Sequence, residues 1–211
     1  MNFRNAHSNV SICNRALSRL PHPPLASIND TGLAARECRQ AYPAVVSALL
    51  EMHHWGIATK VAPLVAAEGD TRGWGNVYTL PNDVANPIAL HFPDSQLVVQ
   101  GERERALLAS LNQRFEVEGR LIFCDRENAY LRYVSYDVAE DQFPETFVEA
   151  ISLKLASELA VPITKRADIR DKYASEFTSF LNQALANERN KSGQTYGNAP
   201  SESELARQGI Y

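Results

Sequence analysis

The spacing of apolar residues changes twice along this chain of 211 residues, and that change limits the folds available to it. In residues 9–66 and 143–190, apolar side chains recur every three or four positions, which is the spacing of one helical face. Residues 67–142 instead hold short runs with a period near two, as in β-strands. We therefore predict an α+β fold: a discontinuous α-helical bundle of about four main helices with an inserted antiparallel β-rich subdomain.

Four segments carry the helical pattern. The first covers about residues 8–20, and the second runs from about residue 34 to Trp55. Pro43 lies within the second, and a bend or restart is expected there because proline lacks a backbone N–H and crowds the preceding turn. The third begins at Phe143 and is expected to end at Pro162, and the fourth covers about residues 164–190.

The middle of the chain is predicted to form strands joined by short turns. A two-residue hairpin is expected at Glu118-Gly119, since glycine tolerates the positive φ of such turns. The predicted strands are 77–80, 88–92, 97–99, 115–117, 121–123 and 130–134.

Residues 191–211 are predicted to form an extended C-terminal docking tail. The segment has too few apolar groups to offset the entropy lost when a chain is ordered by itself. Apolar residues nevertheless occur at intervals along it, which is a pattern suited to a segment that folds against a partner. These residues are Tyr196, Leu205, Ile210 and Tyr211.

Charge and cysteine content narrow the functional classes. A formal net charge of -4 disfavours a protein that binds nucleic acid by surrounding phosphates with Lys and Arg. The three cysteines, Cys13, Cys38 and Cys124, all lie in apolar patterns, so we interpret them as buried thiols of a protein made in a reducing cytoplasm. No apolar run approaches the length that spans a bilayer, so no membrane partner is expected.

The chain lacks the sequence motifs of the common enzyme classes. It has no phosphate-binding loop, no nucleophile elbow and no zinc-protease helix. Glu51, His53 and His54 cluster in sequence, but adjacent histidines on a helix point about 100° apart, which favours a structural role over metal binding. We predict no catalytic, cofactor-binding or metal-binding residues.

An ordered set of short motifs resembles a known family. It begins with C-N-x-A-L-x-x-L from Cys13 and continues with P-L-x-S-I-N-D, A-A-x-x-C-x-x-x-Y, W-G-I-A and Y-x-L-P-N-D. It resumes with F-P-E-T-F-x-x-A-I-S-L-K-L-A from Phe143, so that the match spans roughly residues 10–190. In this order the motifs resemble the tail tubular protein A family, the head-to-tail adaptors of short-tailed bacteriophages.

The resemblance implies a structural virion protein and not an enzyme. It implies a homo-oligomeric ring of twelve subunits between the portal and the tail nozzle or tubular protein, with tail fibres as a further candidate partner. Such a subunit would assemble in the host cytoplasm, reside in the tail or neck of the virion and need no cofactor. The docking tail would grip the portal, and double-stranded DNA would pass through the ring without specific binding.

If DNA passes through the ring, the excess of acidic over basic residues in the chain can serve that passage. A weakly acidic wall repels phosphates and lets the duplex slide, so we expect some of Asp171, Glu176 and Glu188 to face the lumen.

Two other functions stay open at this point. One is a phage-tail-associated glycan hydrolase, which would need a pair of carboxyl groups on either side of a cleft. The acidic residues considered for it are Asp125, Glu127, Asp137, Glu140 and Asp141. The other is a DNA-end-binding terminator. Aromatic residues that interleave with arginines occur in sheets that bind nucleic acid, but more often they form the core and cross-strand pairs. The residues in question are Trp74, Tyr78, Tyr130, Tyr133 and Tyr136, with Arg126 and Arg132.

Overall fold

The structure is a computed structural model that describes residues 7–92 and 114–195, with the backbone alone at 185 and 187–195. It confirms the α+β class, with four α-helices and two antiparallel sheets in the described part of the chain. The described residues fall into two compact units. The helical unit is built from Asn9–Tyr42 and the chain from Pro144 onward, and the sheet unit is built from Pro43–Phe143.

Four helices supply the framework of the helical unit. They are α1 (Asn9–Leu17), α2 (Leu33–Met52, of which the first half belongs to this unit), α3 (Glu145–Thr164) and α4 (Ala167–Thr195). Helix α3 is the centre of the unit, since eleven of its twenty residues are buried and it contacts both α1 and α4. Its first turns form ion pairs with Arg15 of α1, from Arg15 to Glu145 at 2.7 Å, and with Arg19 in the turn after α1, from Arg19 to Glu149 at 2.6 Å.

Both prolines that were expected to interrupt a helix lie inside a continuous one. Pro43 lies inside α2, which runs without a restart from Leu33 to Met52. Pro162 lies inside α3, which continues to Thr164 and stops where Lys165 adopts a left-handed conformation at φ 60°. A proline removes only its own N–H from the helix, so the later N–H groups still bond, as the Lys165 N–H does to the Val161 carbonyl at 3.0 Å.

Helix α4 also differs from its predicted bounds. It begins at Ala167 and reaches Thr195, so it extends into the segment predicted as the docking tail 191–211. Extending a formed helix adds one hydrogen bond for each residue fixed, whereas starting one is costly, so a polar continuation can remain helical.

The sheet unit contains seven antiparallel strands in its described part. They are β1 (Thr59–Pro63), β2 (Val65–Ala66), β3 (Asn76–Thr79), β4 (Val84–His91), β5 (Phe115–Glu118), β6 (Leu121–Cys124) and β7 (Tyr130–Ser135). One sheet has the order β1-β7-β4 and the other has the order β2-β3-β6-β5. Both sheets contribute to one core, in which Leu90 and Leu131 from the first meet Tyr78 and Ile122 from the second.

The boundaries of the β-rich part differ from those predicted. The first strand begins at Thr59, before the predicted start at residue 67, and the sheet unit also takes in the second half of α2 from Pro43. Residues Thr59–Pro63 pair with β7, and the Asn86 side chain on β4 donates to the Glu51 carbonyl in the last turn of α2 at 3.0 Å.

The predicted strands fall on observed ones, with one exception that lies outside the described residues, 97–99. The hairpin turn is Gly119-Arg120, one residue later than predicted, because Glu118 still pairs with Leu121. The φ of Gly119 is +57°, the conformation for which glycine is favoured at the first position of a tight turn. None of the helices in the described residues is long and apolar enough to cross a membrane.

Candidate functional site

The residues predicted to dock a partner lie beyond the described part of the chain. Tyr196, Leu205, Ile210 and Tyr211 all follow Thr195, the last residue of α4. Their docking role stays a prediction.

The three acidic residues predicted to face a lumen all lie on α4. Asp171 and Glu176 are exposed, and each is paired with a cation of the same helix: Asp171 with Arg170 at 2.9 Å, and Glu176 with Lys172 at 3.8 Å. Because a helix turns about 100° per residue, Asp171, Glu176 and Glu188 lie at least about 100° apart around the axis. All three therefore cannot face one lumen, although one or two of them can.

Most of the surface of α4 is uncovered within its unit. Tyr173 and Phe177, one helical turn apart, are its buried anchors, and the Tyr173 hydroxyl donates to the Arg19 carbonyl at 2.8 Å. The exposed side chains that the structure describes beyond the charged ones are small or neutral: Ala167, Ala174, Ser175, Thr178, Ser179, Asn182, Gln183 and Ala186. A long helix with such a surface can pack closely against another helix without burying a charge.

The C-N-x-A-L-x-x-L motif fixes α1 to the connection that follows it. The Asn14 side chain donates to the Leu25 carbonyl at 2.9 Å and accepts from the Leu25 N–H at 2.7 Å. Arg39 on α2 donates to the carbonyls of Ile28 at 2.6 Å and Asp30 at 3.0 Å. Both side chains thus serve to fix the proline-rich connection, in which few backbone groups have regular partners.

Replacing Asn14 with alanine is expected to lower the free energy of unfolding by about 1–3 kcal/mol, because both polar backbone groups of Leu25 lose their partner. Urea denaturation followed by circular dichroism measures the change. Ser18→Ala is the matched control on the same chain segment, since its exposed hydroxyl bonds only one carbonyl of its own turn. Equal stability of the two variants would contradict this role of Asn14.

Trp55 closes the end of α2. It lies three residues beyond the helix and is 2% exposed, and its indole N–H donates to the Leu49 carbonyl at 2.7 Å. That carbonyl is one of the last four of the helix, which have no partner within it. The tryptophan of the W-G-I-A motif is therefore a helix cap and a core residue together.

A polar cluster in the sheet unit is built around Asp83, in the turn between β3 and β4. Lys60 and Ser135 donate to one carboxylate oxygen of Asp83 at 3.1 and 2.6 Å, and the Tyr133 hydroxyl donates to the other at 3.0 Å. Lys60 also contacts Asp137 at 3.0 Å. We call these residues the Asp83 cluster: Lys60, Asp83, Tyr133, Ser135 and Asp137.

The protonation state of Asp83 indicates that the Asp83 cluster has a structural role. Burial would raise the pKa of Asp83, but the hydrogen bonds from Ser135, Lys60 and Tyr133 outweigh it and hold the pKa below its ordinary value. A glycosidase acid needs the opposite shift, a raised pKa that keeps the proton at neutral pH. Asp83 is therefore a stable carboxylate that joins β1, β7 and the turn before β4.

Sequence reasoning missed the Asp83 cluster, although signals for it were present. Asp83 ends the Y-x-L-P-N-D motif, and Tyr133 and Ser135 are two apart on one strand, which places them on the same face. Their pairing with Lys60 depends on the register of β1 against β7, where Lys60 lies opposite Tyr133.

The acidic residues considered for hydrolysis have structural partners where the structure describes their bonds. The Asp125 carboxylate accepts from the Gly75 N–H at 3.2 Å, and Asp137 pairs with Lys60. Glu140 and Asp141 lie in a single turn of 3-10 helix before α3. The contacts of Asp125 and Asp137 are thus structural.

The histidine cluster is a packed group at the end of α2. The rings of His53 and His54 are stacked at 6.2 Å between centroids, and His53 meets Trp55 edge to face at 5.3 Å. The Tyr136 hydroxyl donates to Glu51, which raises the pKa of Tyr136 to about 12. Within the described residues, no group of three or more potential ligands is placed to hold a metal ion.

The aromatic residues of the sheet unit separate into core and surface. Tyr78 and Tyr133 are buried, whereas Tyr130 and Tyr136 are exposed. Trp74 lies in the glycine-rich loop before β3, where its indole N–H donates to Glu116 at 3.2 Å.

An exposed apolar segment runs along β1 and β2. Val61 and Val65 are 58% and 71% exposed, and Pro63 and Ala66 are also exposed. We call residues 61–67 the valine segment. Ala62 and Leu64 between them are half-buried against the core of the sheet unit, so the exposed side chains of Val61, Pro63 and Val65 alternate with buried ones. Exposed apolar side chains that lie close together are typical of surfaces that contact another protein.

Neither the protein-family models nor the curated proteins include a match to this chain.

Proposed function

We propose that this protein is a structural virion component, a head-to-tail adaptor whose copies form a ring between the portal and the tail nozzle of a short-tailed phage. The ring has twelve subunits by its resemblance to the tail tubular protein A family. Double-stranded DNA passes through it without specific binding. The protein assembles in the host cytoplasm and then resides in the neck of the virion.

One observation carries the proposal: the residues that form the family pattern hold the protein's own backbone in place. Asn14 bonds to Leu25, the Trp55 indole bonds to Leu49, and Asp83 accepts from three side chains. In an enzyme, motif residues typically converge on a pocket with perturbed protonation. Because the motif residues here bond to other groups of the same chain, they favour a structural role over an enzymatic one.

The long exposed surface of α4 supports a role in a ring wall. A closed ring needs a heterologous contact, in which one face of the subunit fits a different face of the next. Helices α3 and α4 contribute to this contact in the proposal, and the small, neutral side chains of α4 permit close packing. The valine segment supplies an apolar surface for a tail component.

The chemistry of a DNA conduit agrees with the charge of the chain. The net charge is -4, and the acidic side chains of α4 alternate with cations instead of forming a basic stripe. A wall of this composition holds phosphates weakly, which suits passage of a duplex. One or two of Asp171, Glu176 and Glu188 face the lumen in this proposal.

Portal binding by the docking tail tests the function. Deleting residues 196–211 leaves α4 intact and is expected to abolish co-sedimentation of the protein with portal rings. Replacing Tyr196, Leu205, Ile210 and Tyr211 together with serine is expected to give the same loss, because burial of those apolar groups drives the docking.

The control variant also carries four substitutions in the docking tail, but at polar positions. Ser201→Ala, Ser203→Ala, Gln208→Ala and Glu202→Gln keep all four apolar residues and are expected to keep binding. Negative-stain electron microscopy of the adaptor bound to portal measures the ring order, for which twelve is expected. Undiminished binding after the deletion refutes the docking role, and release of sugars from a glycan by the purified protein refutes the structural assignment in favour of the hydrolase.

A further inference from the structure

One face of the sheet β1-β7-β4 is open to solvent at one end. The strand registers place two rows of three side chains across it: Val61, Arg132 and Ala89 in the first row, and Pro63, Tyr130 and His91 in the second. Paired residues of neighbouring strands project to the same side of a sheet, so these six side chains share one surface. We call this surface the open face. Ala89 is half-buried, and the other five residues are exposed.

The rest of this sheet is covered. Val134, two residues beyond Arg132 on the same side of β7, is 0% exposed. Asn86 lies opposite Val134 and donates to the Glu51 carbonyl, so the end of α2 lies over that part of the sheet. On the other side of the sheet, Leu131 is buried in the core. Within the described part of the chain, the open face is therefore an unpartnered surface on a packed sheet.

The open face combines apolar groups with one unpaired cation. Val61, Pro63 and Tyr130 supply the apolar part, and Val61 is 58% exposed. None of the six residues is acidic, and Arg132 has no carboxylate partner among the residues that the structure describes. The imidazole of His91, diagonal to Arg132, can donate a further hydrogen bond to a carboxylate. The open face therefore fits an apolar segment that carries carboxylates.

The docking tail of this chain carries complementary groups. Pro200, Glu202 and Glu204 recur at every second position. In an extended segment such residues project to one side, with successive ones about 7 Å apart. Arg132 and His91 lie diagonally on two paired strands, which separates them by about 7–8 Å. The two carboxylates of one extended tail can therefore bond to both side chains at once.

We propose that the open face binds the docking tail of a second copy of this chain. Glu202 and Glu204 bond to the polar side chains of the face, Arg132 and His91. Pro200 packs against the exposed ring of Tyr130, as proline-rich segments do on aromatic side chains. A protein segment is favoured over a nucleic acid, because phosphate binding needs several cations and the face has one arginine.

The choice of a second copy rests on the proposed function, because a closed ring needs contacts between different surfaces of neighbouring subunits. The contact also leaves the portal role of the tail in place. The apolar residues proposed to bind the portal all lie outside 200–204. One tail can thus cross a neighbouring subunit and still present its apolar residues to the portal.

Zero-length cross-linking of the full chain tests the contact. Arg132→Lys keeps the positive charge and supplies an amine, which a carbodiimide joins to a carboxylate that it touches. Equal amounts of 15N-labelled and unlabelled chain are mixed and cross-linked, and peptide mass mapping locates the bonds. We expect a bond from position 132 to Glu202 or Glu204, with labelled and unlabelled peptides joined to each other. Lys165, exposed in the helical unit, is the internal control and is expected to form no bond to the tail.

Charge reversal gives a second measurement, by fluorescence anisotropy of a labelled peptide of residues 196–211 added to the full chain. Arg132→Glu is expected to weaken binding of the peptide at least about tenfold, because both carboxylates then meet a like charge. A peptide with Glu202→Lys and Glu204→Lys is expected to restore binding to that variant. Arg114→Glu, an exposed site outside the open face, is the matched control and is expected to leave binding unchanged.

Four results overturn the proposal. They are no bond from position 132 to the tail, bonds only within chains of one isotope, undiminished peptide binding by the Arg132→Glu chain, and a single-stranded oligonucleotide that binds and prevents the cross-link. The last result assigns the open face to nucleic acid. Co-sedimentation with portal rings is a separate measurement, so a failure of the adaptor function leaves the cross-linking result intact.

Discussion

Replacing Trp55 with alanine is expected to lower the free energy of unfolding by about 3–5 kcal/mol, the largest effect of any single substitution considered. The side chain is 2% exposed, so its removal leaves a cavity the size of an indole. It also deprives the Leu49 carbonyl, at the end of α2, of its donor. Urea denaturation followed by circular dichroism measures the change.

The chain offers a matched control in its other tryptophan. Trp74 lies in a surface loop, where its indole N–H donates to the Glu116 carboxylate. Trp74→Ala is expected to cost less than about 1 kcal/mol. Trp55→Phe separates the two contributions, because it keeps an aromatic ring and removes only the indole donor. A Trp74 variant as unstable as the Trp55 variant would show that burial does not distinguish the two sites.

Replacing Asp83 with asparagine is expected to destabilise the protein by about 2–3 kcal/mol, because three donors lose a carboxylate that they share. Ser135 is 0% exposed, so its hydroxyl cannot turn to bulk water instead. The same denaturation assay measures the loss. Asp137→Asn is the matched control, since Asp137 contacts the same lysine at 3.0 Å but has a side chain that is 84% exposed, and it is expected to cost less than about 0.5 kcal/mol.

The pH dependence of the Asp83 variant gives a second measurement. The folded-state pKa of Asp83 is lowered, so its stabilising contribution is present above its unfolded pKa of about 3.9 and is lost as the pH falls through the folded value. The stability difference between the unaltered chain and Asp83→Asn is therefore expected to be constant near neutral pH and to shrink below about pH 4. A difference that grows on acidification contradicts the role of Asp83 as a bonded carboxylate.

The types of the secondary-structure elements could be predicted because they depend on local spacing. Of the apolar positions that predict the first helix, Cys13, Leu17 and Leu20 are buried and Val10 is half-buried. All three cysteines are buried as expected. Their ends were harder to predict. Pro162 was expected to end α3, and α4 was expected to stop at about residue 190, but in each case continuing hydrogen bonds carried the helix further.

The candidate site was predicted in part. The residue types predict that the chain has no catalytic residues and that residues 191–211 form a docking tail, and both statements stay predictions. Some of Asp171, Glu176 and Glu188 were predicted to face a lumen, and the helical rotation of about 140° between Asp171 and Glu176 is compatible with one or two of them doing so. The Asp83 cluster was not foreseen, since Lys60 and Ser135 are far apart in sequence and meet only through strand pairing.

The order of helices and strands and the interpretation of the cysteines as buried thiols follow from the sequence by itself, because each depends on residues within a few turns of one another. The tertiary structure alone decided that α2 is shared between the two units, with a cap supplied by Trp55 and an Asn86 donor at its last turn. It also decided which polar groups meet, as Lys60, Tyr133 and Ser135 do around Asp83. Those contacts join distant parts of the chain, and local periodicity carries no information about which distant residues become neighbours.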